Sequence, residues 1–303
     1  MLSGLFKNSG SLTHILISFF VMVASVTIFM SIGYAIAPVF FDISLNKLNE
    51  ITSGQTQNIT ILKYFQVIQS VSLFIIPPFV IAWLLGEKSK RYLSMTRGIR
   101  SGHLLIIPLL MLGIIPFINF LAELNSRLDL PSFMTGVEDW MKEMEESGQE
   151  ISRKFMIAES PGGLVFNLIM IAILPAVGEE LLFRGVFQQQ FARLTRSMHW
   201  GVIIAAFLFS LMHLQFYGLI PRLVLGILMG YLFLWSGSIW LPVIAHFFNN
   251  AIIVVFYYLY QNNGFSYNLE EVGKDQRHLM PVFTSLLISV FFLWLLYQHR
   301  KKN

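Results

Sequence analysis

The sequence predicts an all-α fold, a polytopic membrane helix bundle of about eight transmembrane helices with one amphipathic helix at its surface. Three observations carry this reading. Of 303 residues, 55% are hydrophobic and only 13% charged, a balance that excludes an ordinary soluble domain. The charged residues are not scattered but collect between long apolar runs. Counted along those runs, basic clusters fall on one side and an acidic one on the other, as the positive-inside rule asks of a multi-pass chain.

The first span covers Leu12 to Phe40. Its apolar run reaches Phe41, too long for a signal-peptide core and without a compelling cleavage site, so it reads as a retained helix. A polar loop from Asp42 to Thr60 leads to span two, Tyr64 to Leu85. Pro77-Pro78 inside it predicts a kink whose freed carbonyls neighbouring helices must satisfy. The loop from Glu87 to Arg100 is the densest basic stretch, and span three follows from Leu104 to Leu121. Residues 121–160 differ in kind, holding more than half of the acidic residues. Val137, Trp140, Met141, Met144, Ile151 and Phe155 recur among them at helical spacing, which predicts an amphipathic helix on the membrane surface or over the bundle.

Span four starts at Gly162 and continues through Gln188-Gln189-Gln190 to Arg193 and Arg196. Span five, Trp200 to Tyr217, is stopped by Gly218 and Pro221. Span six, Leu219 to Trp235, contains Gly226-xxx-Gly230, a small-residue spacing that lets helices approach closely. Pro242 opens span seven, Ile239 to Tyr260, where a proline is well tolerated. The polar loop Gln261 to Arg277, span eight from Leu279 to Tyr297, and a basic tail from His299 to Lys302 complete the chain.

Eight spans place Lys7, the 87–100 loop, Arg193 with Arg196, and the tail together, and the 121–160 and 261–277 segments opposite them. The rule therefore predicts a multi-pass protein of a bacterial plasma membrane with both termini cytoplasmic. A net charge of +4 suits basic cytoplasmic loops better than a nucleic-acid binder. There is no cysteine, which excludes disulfides, thiolate ligands and a cysteine nucleophile. Residues 1–303 read as one integral membrane domain without repeats, and no oligomeric state is legible in them.

Against this background, polar residues inside the spans stand out. Glu179 and Glu180 follow an almost purely apolar run from Gly162 to Val177, and apolar residues resume at Leu181. Carrying a charge into a bilayer costs several kcal/mol, so the pair is a functional-site candidate. Glu180 and Arg184 are four apart and share a helix face, which predicts an ion pair. Glu179 points about 100° away and is left free for chemistry.

Two histidines also sit deep in apolar runs, His213 in span five and His246 in span seven, with Asn250 one turn beyond His246 on the same face. If Gln188–Gln190 mark the cytoplasmic edge, Glu179 lies about 12 Å inside it, and His246 about 10 Å inside from Ile239. His213 is as far beyond the turn near Arg196 as Glu179 is before it. The four residues then converge on one layer near the cytoplasmic face. This requires span five to keep only about a dozen residues in lipid.

Glu, two His and Asn support hydrolysis: a general base for water, and donors to an oxyanion. The same set could ligate a divalent metal such as zinc. There is no HExxH, no Gly-rich phosphate loop and no serine nucleophile elbow.

Glu179-Glu180-xxx-Arg184, Phe209-xxx-His213 and His246-xxx-Asn250 resemble the EExxxR, FxxxH and HxxxN motifs of the CAAX-protease and bacteriocin-processing family. That family of intramembrane endopeptidases includes the type II CAAX prenyl endopeptidases. Phe183-Arg184-Gly185 is also typical of it, and the likeness places the catalytic helices at 161–261. The resemblance implies an intramembrane endopeptidase acting on a membrane-associated peptide or protein. It implies that Glu179 and His213 activate water, and that His246 and Asn250 stabilise the oxyanion. Glu180, Arg184 and Phe209 support them. A divalent metal, zinc by preference, held by Glu179, His213 and His246, is a further expectation. The alternative is a catalytically idle scaffold of the same fold, serving bacteriocin immunity or transport.

Overall fold

The computed structural model describes residues 3–41, 58–128, 130–263, 269–275 and 279–300. Most of the polar loop at 42–60, part of the 261–277 loop and residues 301–303 of the basic tail lie outside them. The described residues are helical, and no strand occurs among them.

The helices are α1 (Ser11–Phe41), α2 (Ile59–Leu84), α3 (Ser101–Ser126), α4 (Thr135–Met156) and α5 (Pro161–Thr195). They continue as α6 (Met198–Leu211), α7 (Leu219–Ser236), α8 (Trp240–Asn263) and α9 (Met280–Arg300). Among the described residues, seven of these are long and apolar enough to cross a membrane: all except α4 and α6. The polytopic bundle and its amphipathic helix are therefore as the sequence predicts, but the eighth span is not a full one. Helix α6 has 14 residues, about 21 Å against a hydrocarbon core of about 30 Å. It stops because the chain turns back at Met212–Leu214, where Leu214 takes a left-handed φ of 52°. The hairpin with α7 still reverses the chain.

Hydrogen bonds define two ends of the bundle. At one end the Ile239 N–H donates to Ser94, the Ser238 hydroxyl to Arg97, and the Trp240 indole to Met95. This end carries the basic loop. At the other, the Asn125 amide donates to Phe216, the Lys63 ammonium to Ile157, and the Asn262 amide to Ala158. This end carries the acidic segment, as alternating spans require.

Helix α5 is the central post, and every residue from Gly178 to Gln188 is buried. Its partners approach through small residues. A Cβ on Gly178 would stand 2.7 Å from the Phe74 Cβ of α2. On α7, Gly226 and Gly230 leave no room for one against Ala206 and Val202 of α6. The close approach predicted for that pair of glycines thus has a concrete use. It bares two carbonyls of α7, and Gly226 accepts from Arg184 while Gly230 accepts from Gln188.

That arrangement corrects the reading of the three glutamines. Gln188 and Gln190 are buried inside the protein and do not face its surroundings. The Gln190 amide reaches Ser18 and the Tyr92 hydroxyl, and the Gln189 amide reaches the Tyr92 carbonyl. A buried amide is tolerated because its bonds are made inside the protein. The glutamines therefore tie α5 to its neighbours and do not mark a depth.

Candidate active site

Two π-helical turns interrupt α5, at Leu168–Ile173 and Phe183–Gln188, and the α-helical turns between them carry both glutamates. Such wide turns rotate the residues that follow and are frequent at functional sites. Pro175 contributes as well. It has no N–H to give the Ile171 carbonyl four residues earlier. The side-chain amide of Asn250 on α8 donates to that carbonyl instead, at 3.0 Å. Asn250 is thereby locked against α5, and its Oδ1 accepts from Asn249.

Glu180 is fully buried and its Oε1 accepts twice. Arg184 Nη1 donates at 2.9 Å, the predicted i,i+4 pair, and His246 Nδ1 donates at 2.8 Å. Glu180 Oε2 has no hydrogen-bond partner among the described residues. Arg184, 2% exposed, sends its other terminal nitrogen to Gly226 and lies over the Phe209 ring, 5.1 Å from its centroid. The bond from His246 to Glu180 joins residues 66 apart and was not legible in the sequence. It fixes the proton of His246 on Nδ1 and turns Nε2 toward Glu179, 3.8 Å from Oε2. That separation is too long for a direct hydrogen bond.

Phe209 is the spacer of the site. Its ring meets those of His213 and His246 edge-on, at 4.9 and 6.1 Å between centroids. His213 lies just past the end of α6, where helix carbonyls lose their partners. Its Nδ1 donates to one of these, Phe209 O, at 2.9 Å, which leaves Nε2 with its lone pair free.

Glu179, Phe209, His213, His246 and Asn250 all line one cavity of about 730 Å³, whereas Glu180 and Arg184 lie behind its wall. The convergence predicted from sequence is present. The cavity extends toward the acidic end, beneath Gly148, Ile151, Ser152 and Phe155 of α4, and not toward the basic loops. The glutamines taken as a boundary are internal, so they say nothing of where the cavity opens.

Two lining groups, Arg222 and Asn249, and the buried Glu145 behind them escaped the sequence reading. Arg222 donates to the carbonyl and the side-chain oxygen of Gln215, bracing the turn after His213. Glu145 is the buried residue of α4, and its Oε2 accepts from the Tyr217 N–H on the same turn. Glu145 thus faces inward, whereas Val137, Trp140 and Ile151 of the same helix are exposed. Asn249 joins the cavity to an apolar recess of about 250 Å³ lined by Ile115, Leu225, Ile253 and Tyr257.

The donor set does not fit a preformed metal centre. Among the described residues no group of three or more His, Cys, Asp or Glu side chains converges to hold an ion. The contact nearest to such a group is that of Glu179 Oε2 with His246 Nε2, at 3.8 Å. No step is therefore routed through a metal below.

Residues 161–252 match the model of a family described as Rce1-like, type II CAAX prenyl endopeptidase Rce1-like. The uncharacterized protein YpbD of Bacillus subtilis (strain 168) is 29% identical over 90 residues, 28% of this chain and 43% of YpbD. The chain therefore spans less than half the length of that relative. No solved structure matches. The matched segment contains every motif residue from Glu179 to Asn250, and over it this multi-pass membrane protein is similar to the type II CAAX prenyl endopeptidase Rce1-like family.

Proposed function

We propose that the protein is an intramembrane endopeptidase that hydrolyses a peptide bond with a water activated by Glu179 and His213. The single observation that carries this reading is the shared cavity of Glu179, His213, His246 and Asn250, walled off from the ion pair that orients it.

Glu179 is the carboxylate with no ion-pair partner of its own on α5, and His213 Nε2 is the free nitrogen opposite. One of them takes a proton from water as the oxygen attacks the carbonyl carbon of the substrate. The carbonyl electrons move to an oxyanion, which Asn250 stabilises from α8 together with His246 as an imidazolium, protonated on Nε2 as well as on Nδ1. As the oxyanion collapses, the C–N bond breaks, and the departing nitrogen takes the proton first removed from water. Glu180 and Arg184 do not touch substrate; they position His246. The adjoining recess suits an apolar side chain of the substrate next to the cleaved bond.

An idle scaffold of the same fold is the competing reading. It gives no reason to keep four polar groups along a cavity inside the membrane, where each is costly. The test is cleavage of a peptide pool by the purified protein in detergent beside the Glu179→Gln variant. Equal product from both, or none from the native protein under any condition, refutes the peptidase reading.

A further inference from the structure

We infer that the site is entered from the extracytoplasmic side of the membrane, so that its substrate is a polypeptide segment at the outer face. The substrate part rests on the peptidase reading above, and the direction of access does not.

Helices α3, α5, α6 and α7 line the cavity with residues from their portions toward the acidic end, and α8 lines it with its middle. Helix α5 contributes Met170 to Glu179 and nothing beyond, and α8 contributes His246 to Ile253 and nothing before. Helix α7 contributes residues up to Met229, and α3 its last turns at Ile118 to Ala122. Beyond the glutamates the way is shut. Leu182, Phe183, Val186 and Phe187 of α5 are wholly buried, and the Gly226 and Gly230 carbonyls behind them are taken by Arg184 and Gln188. Among the described residues, these buried side chains fill the space between the glutamates and the basic loops.

The roof of the cavity is α4, a highly charged helix that no membrane span includes. Its Ser152 is exposed and also lines the cavity, so the mouth lies at a water-facing surface. A scissile peptide bond carries polar groups that lipid cannot satisfy, and it must arrive through such a mouth.

Charge then names the side. Lys88, Lys90, Arg91, Arg97, Arg193 and Arg196 cluster at the closed end, and most of the acidic residues lie in and around α4 at the open one. The rule of positive charge inside makes the closed end cytoplasmic. A tail confined to the cytosol would face the closed end of the site.

The absence of cysteine makes the test direct, because one introduced thiol reports alone. Ser152→Cys sits at the mouth and Lys90→Cys in the exposed basic loop. In intact cells a membrane-impermeant maleimide should label Ser152→Cys, and should label Lys90→Cys only after permeabilisation. The opposite pattern, or labelling of Ser152→Cys only after permeabilisation, overturns the inference. Labelling needs no activity, so a protein that labels as expected but cleaves nothing refutes the peptidase reading alone. In reconstituted vesicles sorted by the same label, an added peptide pool should be cleaved where the Ser152 face is outward. Cleavage only where it is inward overturns the inference as well.

Discussion

His246 Nδ1 lies 2.8 Å from Glu180 Oε1, the same oxygen that Arg184 reaches at 2.9 Å. Glu180 thus links α5 and α8 through one buried atom. The adjacent glutamates divide their work by direction: Glu180 faces the protein, and Glu179 faces the cavity. Each prediction below separates the two kinds of role.

Glu179→Gln should abolish peptide cleavage while leaving yield and thermal unfolding close to native. The amide keeps the volume and loses the base. Retained turnover would remove Glu179 from the reaction.

Arg184→Ala should instead lose stability, by about 3–5 kcal/mol, because it strands a buried carboxylate. Arg184→Lys should rescue only part of this, since one ammonium cannot serve both Glu180 and the Gly226 carbonyl as the guanidinium fork does. Thermal unfolding in detergent is the measurement. Native-like melting of Arg184→Ala would mean that the pair is not what holds Glu180 in place.

Asn250→Ala should be costly in two separable ways. The Ile171 carbonyl loses its donor, at about 1–3 kcal/mol. In Pro175→Ala/Asn250→Ala, the new N–H at 175 should recover stability without recovering turnover. A double variant that regains both would leave Asn250 a purely structural residue.

Glu145→Ala removes the acceptor of the Tyr217 N–H and should loosen the turn that follows His213. A hydrogen bond to a charged group is worth about 1.5–3 kcal/mol. Faster amide exchange at 214–218, with a lower kcat and little change in KM, is the expected signature. Unchanged exchange there would show that α4 does not brace the turn.

His246→Ala should slow cleavage by about 10²–10³-fold, as loss of an oxyanion donor does. Chelator should not reproduce it, and elemental analysis of the purified protein should find no stoichiometric metal that the variant loses. A bound ion lost with His213→Ala and His246→Ala alike would instead restore the zinc expectation.

The sequence by itself determined what depends on near neighbours. Apolar run lengths set the membrane helices, loop charges set the two ends, and i,i+4 spacing set the pair of Glu180 with Arg184. The three motifs named candidate residues, five of which line one cavity. Tertiary structure decided what depends on how helices are rotated and how closely they approach. The bond from His246 to Glu180, the service of Asn250 to a carbonyl left by Pro175, and the inward turn of the glutamines all join separate helices. So does the burial of Glu145 against the turn at Tyr217. A helical period fixes which residues share a face but not which neighbour that face meets. Here α5 meets α7 where the Gly226 and Gly230 carbonyls accept from Arg184 and Gln188.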